Sequence, residues 1–156
     1  MNFKQFFEAS LVFEASLGNE EEKNIKTTLK KIPKKHQALL KGFKFKFLNG
    51  NTLKSDKNHV GYMMNNPKEI AVASPWNYPR EFTFLHEIAH LIWEKFVDKD
   101  KRKEWKKIVK NTKNRQHQGN EELFCMAYAS FFAKNKISIH DHKTWHNFIK
   151  KICYDA

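Results

Sequence analysis

Apolar side chains recur along this chain with two different periods, and the change of period divides it. From Asn2 to Leu17, residues Phe3, Phe6, Phe7, Leu11, Val12 and Ala15 fall three and four apart, the spacing of one buried helix face, and Gly18-Asn19 closes the pattern. A second helix is expected from about Glu20 to Ile32. Pro33 opens a short third one through Ala38, Leu39 and Leu40 that ends at Gly42. The period then drops to two. Phe43-Lys44-Phe45-Lys46-Phe47-Leu48 alternates apolar and charged side chains, which predicts a strand with one buried face, and Asn49-Gly50-Asn51 is a turn signal. Residues 59–64 and 69–74 flank Asn65-Asn66-Pro67-Lys68 and predict a hairpin of two further strands.

After Pro79 the helical period returns. Phe82, Leu85, Ile88, Ala89, Ile92 and Phe96 form one apolar stripe from about Arg80 to Val97, followed by a basic helix from about Lys101 to Asn111. Asn120 is placed to cap a helix running through Ala133, with Glu121 and Glu122 in its first turn. Ser138 or Asp141 starts the last helix, which carries Trp145, Phe148, Ile149 and Ile152. Helices, then a small sheet, then helices give an α+β class, mainly helical, with a largely antiparallel three-stranded sheet packed on the 80–97 helix. No repeat or Pro/Gly-rich linker splits the chain, so residues 1–156 are expected to form one domain: N-terminal helices over 1–42, the sheet over 43–78 and the remaining helices over 79–156.

Composition supports a folded core. With 156 residues, of which 40% are hydrophobic and 14% aromatic, the chain needs neither disulfides nor a metal merely to stay folded. The two cysteines, Cys125 and Cys153, sit in apolar helical segments, which excludes a disulfide-rich scaffold. The longest apolar run, residues 124–133, is half of the roughly 20 residues a membrane span needs. Glu8 falls where a signal peptide would be apolar, so a cytoplasmic, reduced protein without membrane spans is expected. The net charge of +12 comes almost wholly from Lys, the only arginines being Arg80, Arg102 and Arg115. Such charge attracts nucleic acid or acidic partners with a strength that falls with salt, although an AT-rich genome gives the same Lys- and Asn-rich composition without any function. The densest stretch, 99–115, carries Trp105, Ile108 and Val109 at helical spacing among interspersed acids, the pattern of a solvated helix face.

The chemistry lies in His86-Glu87-Ile88-Ala89-His90, an HExxH motif inside an apolar helix. Eight His and twelve Glu in a chain of this length would give the motif by accident in roughly 3% of cases. Residues i and i+4 project from one helix face about a turn apart, so two imidazoles can reach one tetrahedral zinc, with Glu87 beside it. A catalytic zinc takes a third protein ligand and keeps one position open. A metzincin would have Gly at position 93 and His at position 96; Trp93 and Phe96 exclude that class. Downstream, Glu122 shares a helical face with Cys125, Met126 and Ala129 and so can reach toward the HExxH helix. Glu121 points about 100° away; it, His117 and Asp98 are the alternatives to Glu122.

An HExxH helix followed some thirty residues later by a Glu that opens an apolar helix resembles the gluzincin metallopeptidases. The run Glu122-x-x-Cys125-Met126-x-Tyr128-Ala129 is similar to the third-ligand helix of ImmA/IrrE-type proteases and to that of the anthrax lethal factor and Pro-Pro endopeptidase group. With the 61–74 hairpin, the likeness covers about residues 43–134. It implies a zincin-like fold, Zn2+ held by His86, His90 and Glu122, and peptide hydrolysis with Glu87 as general base. The lethal factor group places an oxyanion-stabilising Tyr where this chain has Arg115, so Arg115 and His117 are the residues expected to serve that role. Zincin substrates lie extended along an edge strand, by analogy the 69–74 strand, with Tyr62, Trp76 and Tyr78 available to line pockets.

The partner implied is a protein or peptide substrate, an acidic one by charge. The competing reading is a regulatory or nucleic-acid-associated zincin-fold module that binds through its Lys-rich surface. His140, His142 and His146 offer a second metal-like spacing near the last helix, while His36 and His59 read as surface or capping residues. Cys125 is excluded as a nucleophile because an apolar setting raises its pKa.

Overall fold

The computed structural model describes residues 12–13, 19–48, 61–73, 80–110, 119–133 and 142–155. Strand β1 (Val12–Phe13) precedes α1 (Asn19–Leu29) and the short α2 (Lys34–Gln37), which tightens into a 3-10 turn over Ala38–Leu40. Gly42 leaves that turn at φ +85, a left-handed conformation that glycine adopts without steric cost. Strands β2 (Lys44–Leu48), β3 (Gly61–Asn65) and β4 (Lys68–Ala73) follow. The chain ends in four helices: α3 (Arg80–Phe96), α4 (Lys99–Val109), α5 (Asn120–Phe132) and α6 (His142–Tyr154). The α+β class is therefore observed, with helices predominating.

Two sequence expectations are corrected. Val12 and Phe13 belong not to a helix but to a strand paired in parallel with Lys44 and Phe45; pairing to a distant strand overrides the local three-and-four spacing. The rest of the first expected helix, residues 2–11 and 14–17, lies outside the described residues. The sheet is mixed rather than largely antiparallel, in the order β1-β2-β4-β3. The β3/β4 hairpin is antiparallel as expected, but β4 also runs parallel to β2 in the register Lys44↔Glu69 through Leu48↔Ala73. The 68–73 strand is thus flanked on both sides, and the outer strand beside it is β3.

The alternation along β2 does what its pattern dictates. Phe45 is buried and meets Phe84 of α3 edge-on, with ring centroids 4.8 Å apart, in company with buried Ile70 and Val72. On the other face, Lys46 pairs with Glu69 at 2.8 Å, and the Tyr62 hydroxyl donates to the same carboxylate. The hydrogen bonds from Lys46 and then Tyr62 hold the Glu69 carboxyl below its ordinary pKa. Helix α3 is buried almost all round, not along one stripe, because the sheet covers one side and α5 the other. An aromatic cluster of Trp105, Phe124, Trp145 and Phe148 joins α4, α5 and α6, with rings 5.0 to 6.3 Å apart.

Helix α4 starts at the Asp98 cap, whose carboxylate accepts from the Lys101 amide at 2.9 Å. It buries Trp105 and Val109 and exposes Lys103, Lys106 and Lys107, the solvated basic face expected. Asn120 does not cap α5; Gly119 holds that position, and the Asn120 carbonyl instead accepts the Trp105 indole N–H at 2.7 Å. No helix among the described residues is long and apolar enough to cross a membrane.

Candidate metal centre

The site forms where α3 and α5 face each other. His86 and His90 stand one turn apart on α3 with ring centroids 5.3 Å from each other, both half-buried. The first turn of α5 meets them. His86 Nε2 donates to Glu122 Oε2 at 2.8 Å, and His90 Nε2 lies 3.2 Å from the other oxygen of the same carboxylate. His90 Nδ1 donates to Glu121 Oε1 at 2.9 Å. Three of the residues singled out in the sequence, His86, His90 and Glu122, are therefore brought together.

These bonds set the charge states. Burial opposes a proton on His90, but hydrogen bonds to Glu122 and Glu121 outweigh it and raise the pKa to about 9. The same bonds, from His86 and then His90, hold the Glu122 carboxyl far below the carboxylate range. The protons in these bonds occupy the imidazole lone pairs that a cation would take.

The donor set fits zinc. Around one tetrahedral ion with metal–ligand bonds near 2.0–2.1 Å, neighbouring donors stand about 3.3 Å apart. The contacts of 2.8 and 3.2 Å, one to each oxygen of Glu122, are close to that spacing, and a nitrogen of each imidazole lies within 4.8 Å of the other. The arrangement also supplies the orienting partner that metal-bound histidines generally have, here Glu121 on the far nitrogen of His90.

Glu87 is buried on the α3 face that meets the sheet. Gly61 of β3 makes that packing possible. A Cβ there would stand 3.2 Å from Glu87 Cγ and 3.0 Å from both Thr83 Cγ2 and the Ala71 carbonyl oxygen. The strand thus passes directly over the motif's acid.

Beneath the carboxylates sits Cys125, fully buried; a ligand atom from each of His86, His90 and Cys125 lies within 4.8 Å of the others. Burial, then the charges of Glu122, Glu121 and Glu87, push its thiol well above the ordinary value, which agrees with its exclusion as a nucleophile.

Arg115, His117, Trp76, Tyr78, His59 and His140 lie outside the described residues, as does the side chain of His142. Asp98, an alternative ligand, is spent capping α4. His36 is not a surface residue: it is fully buried, its Nδ1 2.9 Å from the Tyr128 hydroxyl and its ring 4.8 Å from Phe96. Sequence reasoning missed Glu121 as an orienting group because 100° of helical rotation seemed to aim it away, whereas the long side chain reaches around to the His90 ring. It passed over Cys125 as apolar filling, although the i, i+3 spacing from Glu122 was the available signal.

No model of a known protein family matches the chain, and a search among curated proteins finds no match.

Proposed function

We propose that this protein is a zinc-dependent endopeptidase of gluzincin type, with a zincin-like fold and a metal site of His86, His90 and Glu122. The observation that carries the reading is the Glu122 carboxylate bonded to the imidazoles of both HExxH histidines, 36 and 32 residues away in sequence, at 2.8 and 3.2 Å.

Bound zinc supplies Lewis acidity and lowers the pKa of a coordinated water toward ~7. The chain's own groups do the rest. Glu121 fixes the orientation of His90. Glu87, shielded by β3, takes a proton from the attacking water and returns it to the leaving amine. Because β4 is paired on both sides, an extended peptide adds instead to the outer strand β3, which lies against α3 through Gly61.

A peptide-library digest with wild type and Glu87→Gln tests this. Cleavage by the wild type, abolished in Glu87→Gln while metal content is unchanged, is the expected result. Equal cleavage by both removes Glu87 from the reaction, and no cleavage by zinc-loaded wild type contradicts the peptidase reading.

A further inference from the structure

Resting on the metal-site reading above, we infer that Cys125 is a fourth protein donor to the same cation, so that α5 contributes two ligands, one at the mouth of the site and one at its floor. The juxtaposition is built by helix geometry. Glu122 and Cys125 are three residues apart on α5 and share the face turned to α3. The Glu122 side chain is 49% exposed, whereas Cys125 has no exposure at all. The two imidazoles lie between these extremes, half-buried, and one donor atom from each, together with the thiol sulfur, falls within 4.8 Å. A sulfur and a nitrogen on one tetrahedral zinc are separated by about 3.6 Å, so bringing the thiol and the two imidazoles onto one ion asks for roughly 1 Å of side-chain movement.

The donor chemistry has consequences. Two imidazoles, a carboxylate and a thiolate suit zinc or cobalt and disfavour magnesium, calcium and manganese, which prefer oxygen alone. Ligation releases the thiol proton to solvent and leaves two anionic donors to balance a divalent cation. Four protein donors also close the site. Of the two α5 donors, Glu122 is the exposed one and Cys125 the buried one.

Cobalt distinguishes the donors without reference to catalysis, since a thiolate on Co2+ gives an intense sulfur-to-metal charge-transfer absorption that oxygen and nitrogen donors lack. Metal-free wild type, Cys125→Ala and Cys153→Ala are titrated with Co2+ in the full-length chain. Expected are one Co2+ per chain in the wild type with the charge-transfer band, retention of the band in Cys153→Ala, and its loss in Cys125→Ala with affinity at least about tenfold weaker. One bound Co2+ in the wild type without that band, or a band that survives Cys125→Ala, overturns the inference and leaves the His86/His90/Glu122 site standing. No stoichiometric Co2+ in the wild type overturns the metal site itself. The wild-type spectrum decides the question even if Cys125→Ala does not fold.

Discussion

At the residue scale, the site is defined by which atom of each side chain meets which partner. His90 uses both ring nitrogens, Nδ1 to Glu121 and Nε2 to Glu122, so the two adjacent acids of α5 have different work. In the proposed site Glu121 orients and Glu122 ligates. Replacing Glu121 with Ala is expected to weaken zinc binding roughly 10–100-fold in a chelator competition without emptying the site at high zinc. An unchanged affinity would show that the Nδ1 bond has no part in the site. The HExxH letters and the third acid were legible in the sequence because both rest on helical spacing, which is local. The division of labour between Glu121 and Glu122 was not, since it depends on how far α5 is rotated and how closely it approaches α3.

At the scale of elements, Glu87, the proposed general base, depends on a strand it does not belong to. Gly61 lets β3 lie on α3, and any larger residue there meets the Ala71 carbonyl oxygen, Thr83 and Glu87 closely enough that they must shift by a few tenths of an ångström. Gly61→Ala is expected to cost about 1–3 kcal/mol of stability and to displace Glu87, lowering kcat more than metal affinity. Denaturation and zinc titration of the variant check this; a fully stable, fully active Gly61→Ala would refute the close packing. The existence of β2, β3 and β4 followed from period-two patterning, and the hairpin from its turn residues. Their neighbours did not, because the parallel β2/β4 contact joins segments far apart in sequence and leaves no local trace. For the same reason β1 was read as helix, and the 69–74 strand was read as an edge although β2 and β3 flank it.

At the scale of the whole molecule, His36 ties the N-terminal helices to the site. It lies on α2, bonds Tyr128 of α5 and packs near Phe96 of α3, the two helices that carry the proposed ligands. Burial, and next the charge of Lys35, lower its pKa from 6.5 to about 3. The folded protein therefore keeps His36 neutral while the unfolded chain takes up a proton below pH 6.5, so stability falls as pH drops from 6.5 toward 3. Between pH 7 and 5 this single group is worth about 2 kcal/mol, comparable with a large mutational effect. Urea denaturation at both values should show His36→Gln losing about that much less than the wild type on acidification; parallel losses would mean that His36 is solvated. An isolated histidine after Pro33 gave no sign of this burial in the sequence, because the aromatic partners that enclose it come from 60 and 92 residues away.

The central claim is that α3 and α5 together hold a zinc ion. Zinc per chain, measured by elemental analysis after exhaustive dialysis of the wild type and of a His86→Ala/His90→Ala double variant, tests it most directly. About one zinc in the wild type and none in the variant is the predicted result. A metal-free wild type, or the same zinc content in both proteins, would contradict it.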